Sequence, residues 1–241
     1  MSKKKIVVID GCRTPFLRSG TDYMDLMSYQ LGQFAIKGLL TKTGIDPKEV
    51  GQVIMGTVIS NLKTSNVARE SAITAGIPNS VPCHTVTMAC ISANRAISNA
   101  YVEMLAGQYD VAIAGGVDNT SDTPIGFRRA MRKKLFYAQK LKGFGDIFKF
   151  IFSLSYKDFI PEAPKVAEYT TNRVMGVDCD IMAAKFNVAR EDQDKLAVRS
   201  HHMAAKAWVD GHLAKEVCEV ALPPKFKSIK IDNGVRGVSK M

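Results

Sequence analysis

The sequence is short of the features that usually betray a chemistry. Among its 241 residues there are one tryptophan, four histidines and five cysteines. The cysteines, Cys12, Cys83, Cys90, Cys179 and Cys218, are odd in number and scattered; they form no CxxC pair and no Cys/His group at zinc-ligand spacing. A disulfide-stapled scaffold and a structural metal site are thereby excluded, and a reducing compartment is expected. No apolar run approaches the ~18 residues that a membrane span needs; the nearest is the short patch Phe148–Leu154. Behind Met-Ser-Lys-Lys-Lys the chain runs directly into Ile6-Val-Val-Ile9, with no signal-peptide apolar region or cleavage site. This predicts a protein that is neither secreted nor membrane-spanning. Tandem repeats and low-complexity tracts are lacking too.

What is present is the composition of a globular protein, 46% apolar and 23% charged, with a formal net charge of +10. Much of the positive excess is local. Arg128, Arg129, Arg132, Lys133, Lys134, Lys140, Lys142 and Lys149 are opposed in that segment by Asp146 alone. Aromatic and aliphatic residues interleave with them from Phe127 to Phe152, the pattern of an amphipathic element for a membrane surface or a partner subunit. A solvated charged face is the plain alternative. No nucleic-acid-binding motif accompanies the charge, so nucleic acid is not expected as a partner.

Strand and helix signals alternate along the first part of the chain, which predicts an α/β domain. Strands are expected at Lys5–Asp10, Gln52–Ser60, Cys83–Thr87 and Asp110–Ala114. Helices are expected at Met24–Lys42, Asn66–Thr74 and Ile91–Ala106, closed by Gly44, Gly76 and Gly107 respectively. Asp46-Pro47-Lys48-Glu49 reads as an N-cap, a first-position proline and a capping-box glutamate, so a short helix should start there. After Asp122 the character changes to the basic segment, to Pro161 and Pro164, and then to polar helices at Asp180–Phe186 and Arg190–Val209. A further strand is expected at Val217–Leu222, stopped by Pro223-Pro224, and a domain boundary is placed near Asp122.

The most informative stretch is His84-Thr-Val-Thr-Met-Ala-Cys90-Ile-Ser-Ala-Asn94. Here a strand stops at a cysteine that opens a helix of small residues. Unpaired N–H groups and the positive end of the helix dipole favour an anion at such a place. One turn could therefore supply a thiolate nucleophile and donors for the oxyanion of a tetrahedral intermediate. The plain alternative is a cysteine buried as a small hydrophobe. The other four cysteines lack this setting and are read as inert.

Several pieces then add up. Arg13-Thr-Pro-Phe16, Thr64-Ser-Asn-Val-Ala-Arg69-Glu70, Thr85-Val-Thr-Met-Ala-Cys90-Ile-Ser-Ala-Asn94, Ala114-Gly-Gly-Val-Asp118, Arg199-Ser-His201 and Ala207-Trp-Val-Asp-Gly211 occur in order and at family spacing. Through them nearly the whole chain resembles the N-terminal half of a thiolase, and within that family the 3-ketoacyl-CoA thiolases that form β subunits of fatty-acid oxidation complexes.

The resemblance implies a thiolase-like α/β fold, the first of two α/β halves with a mixed sheet and helices on both faces, plus an inserted loop domain. Residues 1–122 would form the half, 123–230 the CoA-binding loop domain, and 231–241 the start of a connection to a second half. Cys90 would take the acyl group from a 3-ketoacyl-CoA as a thioester and pass it to a second CoA. Coenzyme A is then a co-substrate, with no permanently bound cofactor and no metal. Met175 would lie near the pantetheine or acyl group, and Arg236 near the nucleotide end of CoA. Core packing is the plain reading of Met175, and a solvated turn that of Arg236.

The family's Gly-His-Pro histidine, second cysteine and Asn-Glu motif do not occur here. His84, His201, His202 and His212 are not read as substitutes for that base. The expectation is an N-terminal fragment, inactive alone, because the Claisen chemistry needs a base or a proton donor besides the thiolate. Implied partners are acyl-CoA and CoA, a homodimer or tetramer, a hydratase/dehydrogenase α subunit, and peripheral membrane contact through 127–152. The implied location is the bacterial cytoplasm, or the mitochondrial matrix in a eukaryote. A biosynthetic acetoacetyl-CoA thiolase and a non-catalytic thiolase-like scaffold are the competing readings.

Overall fold

Strand β1 (Gln52–Gly56) is buried along its whole length, and the computed structural model, which describes residues 5–164 and 166–236, builds the first domain around it. It lies in the middle of a three-stranded parallel sheet, with β2 (Cys83–Val86) on one side and β3 (Ala112–Gly116) on the other. Because side chains alternate along a strand, β1 feeds two cores. Val53 and Met55 pack with Ile36 and Leu40 of α1 (Ser28–Thr43) and with Ala68 and Ala72 of α2 (Val67–Ala75). Ile54 points the other way and packs against Ala96 and Ala100 of α3 (Ser92–Leu105).

The topology accounts for this layering. α2 connects β1 to β2 on one side, and α3 connects β2 past β1 to β3, so right-handed crossovers put the two helices on opposite faces. Gly44 and Gly76 close α1 and α2 in the left-handed conformation as expected, while Asn66, expected as the first helical residue, is the N-cap of α2 and accepts from the Arg69 amide. The short helix after Asp46 is a 3-10 turn, Pro47–Glu49, with the Asp46 side chain accepting from the Lys48 amide.

The expected strand at Lys5–Asp10 does not form. Residues 5–10 join no ladder among the described residues, and Val7, Val8 and Ile9 are exposed. An apolar β-prone run becomes a strand only where a neighbour takes up its backbone groups. Other boundaries shift. The helix expected from Met24 begins at Ser28, because residues 22–25 form a turn and Met27 is an extended N-cap. The strand expected to Ser60 ends at Gly56, where the Asp118 carboxylate accepts from the Thr57 hydroxyl and the Val58 and Ile59 amides and bends the chain away.

The chain divides into two compact units, Met1–Asp122 with Ala183–Met241, and Thr123–Met182. Residues 183–230, placed with the inserted loop domain from the sequence, group with the first unit. In that unit β6 (Val220–Leu222) and β7 (Lys227–Ile229) form an antiparallel pair whose Val220, Leu222 and Ile229 share a core with Tyr23, Leu26 and Leu31. Helix α7 spans Arg190–Val209 as expected, whereas the helix expected at Asp180–Phe186 is longer and earlier, α6 at Met175–Lys185.

The second unit contains a two-residue antiparallel pair, β4 (Gly126–Phe127) with β5 (Pro161–Glu162), and the helices α4 (Arg129–Ala138) and α5 (Phe144–Ser153). Lys134 of α4 ties them down by donating to Asp158 at 2.7 Å and to the Ser153 carbonyl. Of the segment expected to connect onward, 231–241, residues 237–241 lie outside the described residues.

Candidate active site

All three parallel strands end at the same edge, and the segments leaving them converge there. In open parallel sheets the crevice beyond the carboxyl ends, between strands whose connections leave in opposite directions, is where ligands bind. β2 and β3 flank β1 in that arrangement. The turn after β2 carries Cys90.

Cys90 does not open the helix. One residue, the N-cap Ile91, stands between it and Ser92, where α3 begins. Ala89 adopts a left-handed backbone with φ 47°, a conformation that costs a non-glycine residue roughly 1–2 kcal/mol. Met88 and Cys90 form an isolated bridge across it. The result is a tight strand-to-helix elbow with its cysteine exposed. Strain of this kind persists only where the surroundings hold it, and it concentrates at functional sites.

Ser92 does the holding. It is buried, accepts from the Met88 amide at 2.8 Å and donates its hydroxyl to the Ala89 carbonyl at 2.6 Å. The amides of Ile91 and Ser92 donate to the carbonyls of Met88 and Ala89. Those two amides are thus spent inside the turn, so they are not among the donors that the turn was expected to offer an oxyanion.

Close approach of backbone seats the elbow on the sheet. A Cβ at Gly56 would stand 2.4 Å from the Ser92 carbonyl carbon and 2.6 Å from the Ala93 nitrogen, and one at Gly116 would meet the Ala93 Cβ at 3.0 Å. Glycine at the ends of β1 and β3 therefore lets α3 start directly on top of the strands. Around the same edge Thr85 donates to Asn66 at 2.9 Å and accepts from the Ala68 amide at 3.2 Å, while Asn66 also donates to the Cys83 carbonyl. Asn119, buried, donates to the carbonyls of Tyr23 and Leu26.

Helix α3 leaves the elbow with Ala96 and Ala100 turned to the sheet and Ile97, Tyr101, Val102 and Leu105 exposed. Met175 is exposed at the first position of α6. Arg236 is exposed, and its amide donates to His201 Nδ1 at 3.3 Å; no hydrogen bond joins it to the Cys90 turn. Among the described residues no group of three or more His, Cys, Asp and Glu could hold a metal ion. Sequence reasoning missed the roles of Ser92, Gly56 and Gly116. A serine two positions after the cysteine and a glycine ending each of two strands were the available signals.

The family described as thiolase, N-terminal domain, matches residues 6–240. The chain is 46% identical over 233 residues to the mitochondrial trifunctional enzyme subunit beta of Mus musculus, covering 97% of this chain and 49% of that protein. It is 42% identical to a probable 3-ketoacyl-CoA thiolase of Caenorhabditis elegans, covering 96% and 52%, and 36% identical to a 3-ketoacyl-CoA thiolase of Yersinia pestis, covering 96% and 53%. The chain thus spans about half the length of the curated relatives it matches. Its fold is that of the Bacillus anthracis acetyl-CoA acetyltransferase crystal structure, with a TM-score of 0.78 at 23% identity over 96% of this chain and 55% of the other. The parallel sheet, the helices on its two faces and the match along nearly the whole sequence give one conclusion: the chain belongs to the thiolase family.

Proposed function

We propose that this chain supplies the nucleophile of a 3-ketoacyl-CoA thiolase of fatty-acid β-oxidation, and that Cys90 is that nucleophile. The observation that carries the reading is the exposed thiol on a strained elbow, at the carboxyl edge of a parallel sheet and just ahead of a helix N-terminus. The names of the relatives from mouse, nematode and Yersinia support it.

In the proposed reaction the Cys90 thiolate attacks the 3-keto carbon of the substrate. A tetrahedral oxyanion forms, the bond between C2 and C3 breaks, and the acyl group stays on sulfur as a thioester. The acetyl-CoA enolate leaves and takes a proton; the thiol of a second CoA, losing its proton, then attacks the thioester and frees the enzyme. The reading assigns the nucleophile to this chain and leaves both proton transfers to groups outside it. Met175 and Arg236 are proposed to contact the pantetheine or acyl part and the nucleotide part of CoA.

The test is intact-mass spectrometry after incubation with 3-ketoacyl-CoA or acyl-CoA of several chain lengths. An acyl adduct on the chain that Cys90→Ser lacks is the expected result. An adduct that persists in Cys90→Ser, or its absence at every chain length, overturns the reading. Preference for long over four-carbon substrates separates the degradative enzyme from an acetoacetyl-CoA enzyme.

Two surfaces bear on partners. The exposed apolar side of α3 supports a covering protein layer, either a second α/β half or another copy in a homodimer or tetramer. In the second unit no side chain of α5 is buried, and Phe144, Phe148, Ile151 and Phe152 are exposed beside the basic residues of α4. We infer that this hairpin rests on an anionic membrane surface, without crossing it; among the described residues no helix is long and apolar enough to span. Co-sedimentation with anionic vesicles that fails in Phe148→Glu is expected. Loss of vesicle binding altogether would transfer the surface to a hydratase/dehydrogenase subunit, the pairing that the relatives named subunit beta suggest.

A further inference from the structure

Far from each other in sequence, Cys12 and Cys218 meet in the first unit. An isolated parallel bridge joins Arg13 to Val217: the Arg13 amide donates to the Glu216 carbonyl, and the Cys218 amide donates to the Arg13 carbonyl, each at 2.8 Å. This pairing puts the two cysteines on flanking positions with both side chains turned to α1. The Cys12 thiol donates to the Ala35 carbonyl at 3.0 Å and the Cys218 thiol to the Phe34 carbonyl at 3.6 Å. Gly38 makes the space. A Cβ there would stand 3.0 Å from the Cys218 sulfur and 3.4 Å from the Cys12 sulfur, so both sulfurs crowd one spot that only glycine leaves open.

The site is reachable. A cleft of about 510 Å³ is lined by both thiols together with Lys37, Lys42 and Lys215. The interaction between the two thiols lowers the Cys218 thiol from its ordinary value, with the Arg13 charge adding to it, and together with burial pushes the Cys12 thiol up. Two half-buried thiols crowded over one glycine, on a cleft lined by cationic side chains, are placed to react with a peroxide and then with each other. It sits apart from Cys90 and contributes nothing to acyl transfer as proposed above.

We propose that Cys12 and Cys218 form a second reactive-thiol site, which closes to a reversible disulfide when the protein meets a peroxide. The Cys218 thiolate attacks one peroxide oxygen, the O–O bond breaks and hydroxide departs, leaving a sulfenic acid. The Cys12 sulfur then attacks that sulfur, its proton leaves with the displaced hydroxide as water, and the S–S bond forms. Two thiols lose two electrons in total, and the peroxide is reduced to two waters. The bond would lock the segment ahead of α1 to the segment leading into β6, closing a loop that contains the whole parallel sheet. Excess thiol reverses it by exchange.

The experiment treats the whole chain with equimolar hydrogen peroxide, blocks the remaining thiols with N-ethylmaleimide, and reads intact mass and peptide maps. The expected product has lost the mass of two hydrogens, contains a Cys12-to-Cys218 linked peptide, and returns to the starting mass with dithiothreitol. Cys12→Ser and Cys218→Ser should each abolish it, and Cys90→Ala should leave it in place. If either serine variant fails to fold, the unmodified chain still decides the matter: the two thiols must disappear from the N-ethylmaleimide count together and at one rate. Recovery of Cys12 and Cys218 as separate maleimide adducts, oxidation of one without the other, or a link to Cys90, Cys83 or Cys179 would overturn the proposal.

Discussion

The guanidinium of Arg13 is locked in a two-pronged pair with the carboxylate of Asp232, Nη1 to Oδ1 at 2.8 Å and Nη2 to Oδ2 at 3.0 Å. The pair joins the start of the first unit to its end. Asp232 Oδ1 also accepts from the Phe16 amide at 2.7 Å, Arg13 Nε donates to Glu216 at 2.8 Å, and the guanidinium stacks on the Phe16 ring at 4.2 Å. Planar, bidentate recognition of this kind suits arginine and not lysine.

Asp232→Ala should therefore unfold at lower urea, with a loss on the order of 3 kcal/mol, because it strands a partly buried cation and an amide together. Arg13→Lys should lose part of that, since one ammonium cannot reproduce the fork. Urea denaturation followed by circular dichroism checks both, and equal midpoints for the variants and the parent would contradict the assignment.

Ser92→Ala removes the side chain that accepts from the Met88 amide and donates to the Ala89 carbonyl. Leaving those groups unpaired should cost about 1–3 kcal/mol. The elbow should loosen as well, so the rate of Cys90 alkylation by iodoacetamide should change while the rate at Cys179, another exposed cysteine, stays constant. A change in both rates would point to general unfolding.

Gly56→Ala should be among the worst-tolerated single substitutions in the sheet. The added methyl would overlap the Ser92 and Ala93 backbone, not a flexible side chain, and overpacking a tight site costs typically 1–3 kcal/mol. Ala89→Gly works the other way. Its φ of 47° suits glycine, so a stabilisation of up to about 1 kcal/mol is expected, less whatever glycine gains in freedom when unfolded. Thermal melts of the pair should move in opposite directions.

The Lys134–Asp158 pair predicts an acid-sensitive second unit. Hydrogen bonds from Lys134 and from the Ser155 amide hold the Asp158 carboxyl below the ordinary aspartate range. A depressed carboxyl pKa contributes stability above the ordinary value and loses it as pH falls through the depressed one. Protection of the α4 and α5 amides from hydrogen exchange, taken relative to the intrinsic exchange rate at each pH, should fall on acidification below the ordinary aspartate value. Asp158→Asn should flatten that dependence; the same profile with asparagine would assign it to another group.

Much of the fold could be read from local rules. Asn66, Gly44 and Gly76 act where they stand, through backbone groups one turn away, and α7 occupies the residues its pattern marks. The run at 5–10 shows the limit of such rules, for β-propensity names a candidate and only a neighbouring strand makes it a member of a sheet. The drift of the third parallel strand from 110–114 to Ala112–Gly116 has the same origin. Its register is set by pairing with Gln52–Gly56, which no local pattern contains.

For the site, the sequence by itself determined that position 90 carries a sulfur between a strand and a helix, that small residues follow it, and that the family is thiolase. These depend on residue identity and order, which folding does not alter. Only the tertiary structure decided that the cysteine precedes the helix on a left-handed elbow, that Gly56 and Gly116 bring α3 down onto the strand ends, and that Cys12 and Cys218, far apart along the chain, share one cleft. Each of these depends on distances across the fold, fixed by how sheet and helices pack and invisible to any window of neighbouring residues.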